Sequence, residues 1–195
     1  MDIFKLQGEK RENFGKRGAK DARNNETIPC VLYGGKESFN FTVKPLEVKH
    51  LVYNHSFQIV ELNLEGKSIR AILKDIQFHP VTDEILHIDF QELVEGRKVK
   101  VSVPVVFTGA SKGIKEGGAL MPLMRKVIIR TIPEKLVNNI KADISSLGLG
   151  QSIRVKSLST PDGIQIMHDE NTPVAFIEIP RSLKSAKDAA TKSGK

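Results

Sequence analysis

Residues Gln77–Gln91, QFHPVTDEILHIDFQ, decide how the rest of the chain is read. In the second half Leu86, Ile88 and Phe90 alternate with His87 and Asp89, the period of a half-buried strand. The apolar side chains fall on one side and the polar pair on the other. In the first half Pro80 lacks a backbone N–H and biases His79 towards an extended conformation, so Gln77-Phe78-His79 ends a preceding strand. Thr82-Asp83 supplies turn residues between the two. His87 and Asp89 read either as an ordinary surface pair or as part of a recognition face. A zinc site is the weaker reading: it needs three or four convergent ligands, and His79, His87 and Asp89 supply at most three, with Cys30 far away in the chain.

Working outward, residues 1–8 read as a strand, followed by Ile28–Tyr33, which contains Pro29 and is closed by Gly34-Gly35, and by Phe39–Val43. Pro45 suits the first position of a helix running to about Tyr53, with Leu46, Leu51 and Val52 for a core face. Gln58–Leu64 and Ser68–Ile76 are strands joined by Glu65-Gly66-Lys67, and Val60, Leu62 and Leu64 alternate with Glu61 and Asn63, as a sheet with one wet face requires. With Ile85–Phe90 these segments predict a mainly β fold. The expected N-terminal domain is a six-stranded β-barrel or strongly curved sheet with one or two short helices, a design that removes exposed edges.

Glu92–Lys98 is a charged connector, so the expected domains are 1–94 and 95–180, followed by a basic flexible tail at 181–195. The second domain also reads as all-β, from Val99, Val101, Val103, Val105 and Phe107 and from strand signals at Lys126–Ile132, Ile140–Ile144, Ser152–Val155 and Val174–Ile179. Gly109–Gly118 holds four glycines without the GxxxxGK[ST] order of a phosphate-cradling loop, and is expected to be a flexible connection.

The chain has no run of about 18 apolar residues and no apolar block at its start, so a soluble, cytoplasmic protein is expected. Cys30 has no second cysteine to pair with, which agrees with a reducing compartment, and its setting is that of a buried, inert thiol. The formal charge is +7, and it lies at the ends: residues 1–25 hold seven Lys/Arg against four Asp/Glu, and 181–195 hold five against one. Between them the counts balance. Such ends suit a polyanionic partner or plain solvation. Within Glu9–Glu26, a segment with a short helix near Ala19–Arg23, Arg11, Lys16, Arg17, Lys20 and Arg23 sit among small residues with little apolar surface, a composition that favours phosphate contact. Tyr33 reads equally as an RNA contact at the end of its strand or as a half-buried structural tyrosine.

Three separated motifs now come together: Ile28-Pro29-Cys30-Val31-Leu32-Tyr33-Gly34-Gly35, Gln77-Phe78-His79-Pro80 and His87-Ile88-Asp89-Phe90. In this order and spacing they closely resemble the CTC family of bacterial large-subunit ribosomal proteins, the two-domain form of ribosomal protein L twenty-five. The resemblance continues through Val103-Pro104-Val105, Gly113–Gly118 and Asp143–Leu147, and covers roughly residues 3–180. It implies an N-terminal β-barrel that binds 5S ribosomal RNA, an all-β second domain with less uniform contacts, and no catalysis. The implied partners are 5S RNA and other components of the 50S subunit, with no cofactor, metal, membrane or small-molecule substrate. The matching RNA-facing positions are Arg11, Lys16, Arg23, Tyr33, Gln77, His79, His87 and Asp89. The family's denser arginine run is interrupted here, where Asp21 and Ala22 separate Lys20 from Arg23.

Overall fold

In the computed structural model, which describes residues 3–54 and 56–180, the alternating segments of the N-terminal half close into a barrel. Its strands are β1 (Ile3–Lys10), β2 (Ile28–Tyr33), β3 (Phe39–Val43), β4 (Ile59–Leu64), β5 (Lys67–Phe78) and β6 (Ile85–Glu92), in the order β1-β3-β2-β6-β5-β4. Helix α1 (Gly15–Asn24) follows β1 and helix α2 (Pro45–Val52) follows β3. Closure is made by parallel pairing of β1 with β4, from Ile3↔Ile59 to Gly8↔Leu64. Gly8 is required where the wall tightens: a Cβ there would lie 2.6 Å from the Phe41 ring and 2.8 Å from Leu64.

Strand β6 lies between β2, its parallel neighbour, and β5, its antiparallel one. Its Ile88 and Phe90 are fully buried, with Cys30, Leu32, Phe41, Val60 and Leu62 around them, and the Phe41 and Phe90 rings stand 5.7 Å apart in a tilted arrangement. Leu86 departs from the expected alternation. Pairing jumps from Gln77↔His87 to Phe78↔Ile85, which makes Leu86 the extra residue of a bulge. Ile85 packs against the core in its place, and Leu86 is half-buried. In α2 the core face is Val48 and Leu51, backed by Val52, and Leu46 is 80% exposed instead of buried. The helical period explains this, since Leu46 stands on the side of the helix away from Val48 and Leu51.

The rest of the described chain forms two further sheets. One, in the order β10-β7-β9-β12, contains β7 (Val99–Thr108), β9 (Lys126–Thr131), β10 (Ile140–Asp143) and β12 (Gln165–Ile166). The other, β11-β13-β8, contains β8 (Ala119–Pro122), β11 (Ser152–Arg154) and β13 (Pro173–Glu178). Gly109–Gly118 is an anchored connection, where a flexible one was expected. It holds one turn of helix, α3 (Lys112–Lys115), whose cap Ser111 is fully buried and donates its hydroxyl to the Leu147 carbonyl at 2.7 Å. The chain divides into two compact units, one reaching to Val101 with Thr131–Asn138 added, the other holding Ser102–Arg130 and the described residues from Asn139 onward. The basic tail expected at 181–195 lies outside the described residues.

Because Phe90 fills the barrel against Phe41, Phe90→Ala should cost about 3–5 kcal/mol through lost burial and a residual cavity. Urea unfolding of the full chain measures it. A midpoint equal to that of the parent would contradict the packing described.

Candidate nucleic-acid interface

The bulged pairing of β5 with β6 aligns polar residues in rows across the outside of the barrel. Gln77 is opposite His87, Asp75 is opposite Asp89, and on the other side Val31 and Tyr33 of β2 stand beside Asp89 and Gln91. Since Ile88 and Phe90 point inward, His87, Asp89 and Gln91 must point outward. The two ends of the HIDF motif are therefore not independent: the same register that fills the core displays the polar pair.

His87 Nδ1 lies 2.8 Å from Asp89 Oδ1, with both side chains about 30% exposed. A carboxylate can only accept, so His87 donates through Nδ1, and the contact fixes the tautomer and the tilt of the ring. Nε2 has no hydrogen-bond partner among the described residues, and in the neutral ring it is an acceptor. Tyr33 is half-buried at the end of β2. Burial pushes its phenol above the ordinary value of 10.0, and the carboxylates of Asp89 and Asp75 add to the shift. The hydroxyl stays protonated and can donate. Cys30, beneath this face, is fully buried, and burial pushes its thiol far up, out of reach of thiolate chemistry.

His79 has a different setting from the strand pair. It stands at the turn, where its Nδ1 accepts from the N–H groups of Val81 at 3.3 Å and Thr82 at 3.2 Å. Its own N–H donates to Glu84 O at 2.8 Å and its carbonyl accepts from Asp83 N at 3.0 Å. The ring is the brace of the β5–β6 turn. Among the described residues no three His, Cys, Asp or Glu side chains are grouped as a metal site.

The basic segment forms a longer helix than the sequence suggests, Gly15–Asn24, and its amphipathicity is made with small residues. Gly18 and Ala22 are its buried positions, and a Cβ on Gly18 would collide with the Asn13 carbonyl. Lys16, Lys20 and Arg23, spaced i, i+4 and i+7, stand on the opposite, exposed side, with Arg17 at its flank. The interruption at Ala22 thus has a packing cause: a longer side chain there would lift the helix from the barrel. Helix α1 lies against β2, and Arg23 Nη1 donates to the Leu86 carbonyl of the β6 bulge at 3.3 Å, which ties the cationic helix to the strand that carries His87 and Asp89. Arg11 leaves the end of β1 with its N–H donating to Asn40 O at 2.9 Å, and its Nε and Nη1 are buried with no partner among the described residues. Those two donors face the interior, near the buried Cys30. Asp75 and Gln91 belong to the same face and escaped the sequence reading. For Gln91 the signal was its parity with Asp89, whereas Asp75 is visible only once β5 and β6 are in register.

Residues 6–90 match the family model described as the Ribosomal L25p family, and residues 98–181 match that of the ribosomal protein TL5 C-terminal domain. Among curated relatives, the large ribosomal subunit protein bL25 of Porphyromonas gingivalis is 42% identical over 188 residues, which cover 95% of this chain and 97% of that protein. The bL25 of Cytophaga hutchinsonii is 38% identical, covering 98% of this chain and all of the relative. That of Bacteroides fragilis is 41% identical over 90% of this chain and 89% of its own length.

The raised phenol of Tyr33 has a defined pH consequence. A phenol that holds its proton longer in the folded chain leaves stability unchanged below the unfolded value and lowers it as pH rises past that value. In a Tyr53→Phe background, the ultraviolet signal of the phenolate should appear above pH 10.0, and Asp89→Asn should move it part of the way back. A midpoint at or below 10.0 in the parent would contradict this placement of Tyr33.

Proposed function

The chain belongs to the ribosomal L25p family, and from that premise we propose that its barrel binds 5S ribosomal RNA through the outer face of β2, β6 and β5, with α1 beside it. Family membership makes the protein a structural constituent of the large ribosomal subunit, not an enzyme, working in the cytoplasm where bacterial ribosomes are found. Its partners are accordingly components of the 50S subunit.

The observation that carries the RNA reading is the His87–Asp89 pair on a strand face tethered through Arg23 to a cationic helix. An A-form helix presents a wide, shallow minor groove of hydroxyls and base edges, which a curved sheet face can enter. In that setting Asp89 fixes His87 so that Nε2 meets a hydroxyl or amino donor. Gln77 and Tyr33 add donors and acceptors on neighbouring strands. Lys16, Arg17, Lys20 and Arg23 meet the flanking phosphates, and Arg11 extends the same basic segment at the end of β1. His79 contributes by holding the turn, with Nε2 left for the RNA. In this proposal residues 1–94 carry the RNA-binding domain, and 95–180 form a second domain with contacts of its own.

An outward carboxylate near phosphates is unfavourable unless its hydrogen bonds are specific, so Asp89 gives the decisive test. Asp89→Asn keeps the shape but replaces one acceptor with a donor, and should weaken 5S RNA binding by the full chain by about 1–3 kcal/mol at fixed salt. Unchanged or tighter binding by a mutant with the parent's thermal unfolding would remove Asp89 from the recognition face. Affinity should also fall steeply with added salt, because about four to six Lys/Arg contacts release condensed cations. Titrations at several salt concentrations check this, and a flat response would exclude the phosphate contacts assigned to α1.

A further inference from the structure

The sheet β10-β7-β9-β12 has one face filled and the other open. Val103, Val105, Val127, Ile129, Ile140 and Ala142 are buried on the first. The alternate positions on the other face are exposed, among them Val106, Lys126, Ile128, Arg130 and Lys141, with Met167 just past β12. Val106 and Ile128 are 42% exposed and Met167 41%, values that no core requirement explains. Lys141 stands beside Val106 in register, Gln165 beside Arg130, and the Met167 N–H donates to the Ile128 carbonyl at 2.9 Å.

The charge on this face is predominantly positive. Among the described residues Lys126, Arg130 and Lys141 have no ion-pair partner. The single carboxylate these four strands put on the open side is Asp143. It accepts from the Ser145 N–H at 2.9 Å and the Ser145 hydroxyl at 2.6 Å, bonds that hold its carboxyl below the usual range. It is committed to the turn after β10 and keeps its charge, so Lys126, Arg130 and Lys141 outnumber it three to one.

We propose that this face docks an acidic, aliphatic protein segment supplied by a neighbouring protein of the large ribosomal subunit. Isolated exposed aliphatics are ordinary, but three on one sheet face interleaved with three unpaired cations form a surface with both apolar and electrostatic complementarity to such a segment. RNA fits it less well. The face carries no aromatic side chain on which a base would stack, and a duplex minor groove offers hydroxyls and polar edges against which Val106, Ile128 and Met167 gain little burial. The proposal depends on membership of the large subunit and holds whether or not the barrel binds 5S RNA.

The test uses the full chain with a photocrosslinking amino acid placed at Ile128 and, separately, at Met167. Each is assembled into large subunits lacking their own copy and irradiated. The expected product is destroyed by protease but survives ribonuclease, and its partner peptide is rich in Asp or Glu and in aliphatic residues. Lys126→Glu combined with Arg130→Glu should abolish it while leaving circular dichroism and 5S RNA affinity at parent values. If that double variant fails to fold, Lys141→Glu serves instead. A ribonuclease-sensitive adduct, a basic partner peptide, an adduct that survives charge reversal, or none from either position would overturn the proposal.

Discussion

The register of β6 is held from both sides, by β2 through Cys30↔Ile88 to Tyr33↔Gln91 and by β5 through Leu73↔Phe90 to Gln77↔His87. Because side chains alternate with a period of two, a slip by one residue would expel Ile88 and Phe90 from the barrel and bury His87 and Asp89 in their place. The loss of two fully buried side chains would combine with the desolvation of a carboxylate, so the alternative is excluded energetically. The site inherits its rigidity from this. Its geometry is a by-product of core packing and needs no separate scaffold.

Around that strand the electrostatics divide by element. The cations lie on α1, a helix seated on the barrel through Gly18 and Ala22, while the strand face is amide, phenol, imidazole and carboxylate. A phosphate backbone and a base-bearing groove call for these two kinds of chemistry in adjacent places. The Arg23 bond to the Leu86 carbonyl joins them, and the bulge at Leu86 belongs to the candidate interface for that reason as well as for its local twist.

Much of this could be read from residue patterns, and the gaps have physical causes. The HIDF alternation, the Pro45 helix start and the strand pairs around Glu65-Gly66-Lys67 are local signals, and each element stands where they put it. The inward alternation of Leu86 fails because a bulge is set by pairing with the partner strand, which no single segment reveals. The full length of α1 leaves no sequence signal because its buried side is built from Gly18 and Ala22, too small to make an apolar stripe. Strand β12 has only two residues, and β8, largely exposed, has no buried-exposed alternation to mark it. The parallel closure of β1 on β4 joins segments far apart in the chain. His79 groups in sequence with the recognition residues, and its bracing of Val81 and Thr82 appears only once the turn is folded.

The central claim is that core packing of β6 presents His87, steered by Asp89, to ribosomal RNA. Nitrogen NMR of the full chain, labelled in its histidine side chains and backbone and titrated with 5S RNA, tests it most directly. The account predicts a shift at His87 Nε2, together with amide shifts along α1 and at Tyr33, Gln77 and Gln91. An unmoved His87, with shifts confined to the opposite wall of the barrel around Lys5 and Glu61 or to the second unit, would contradict it.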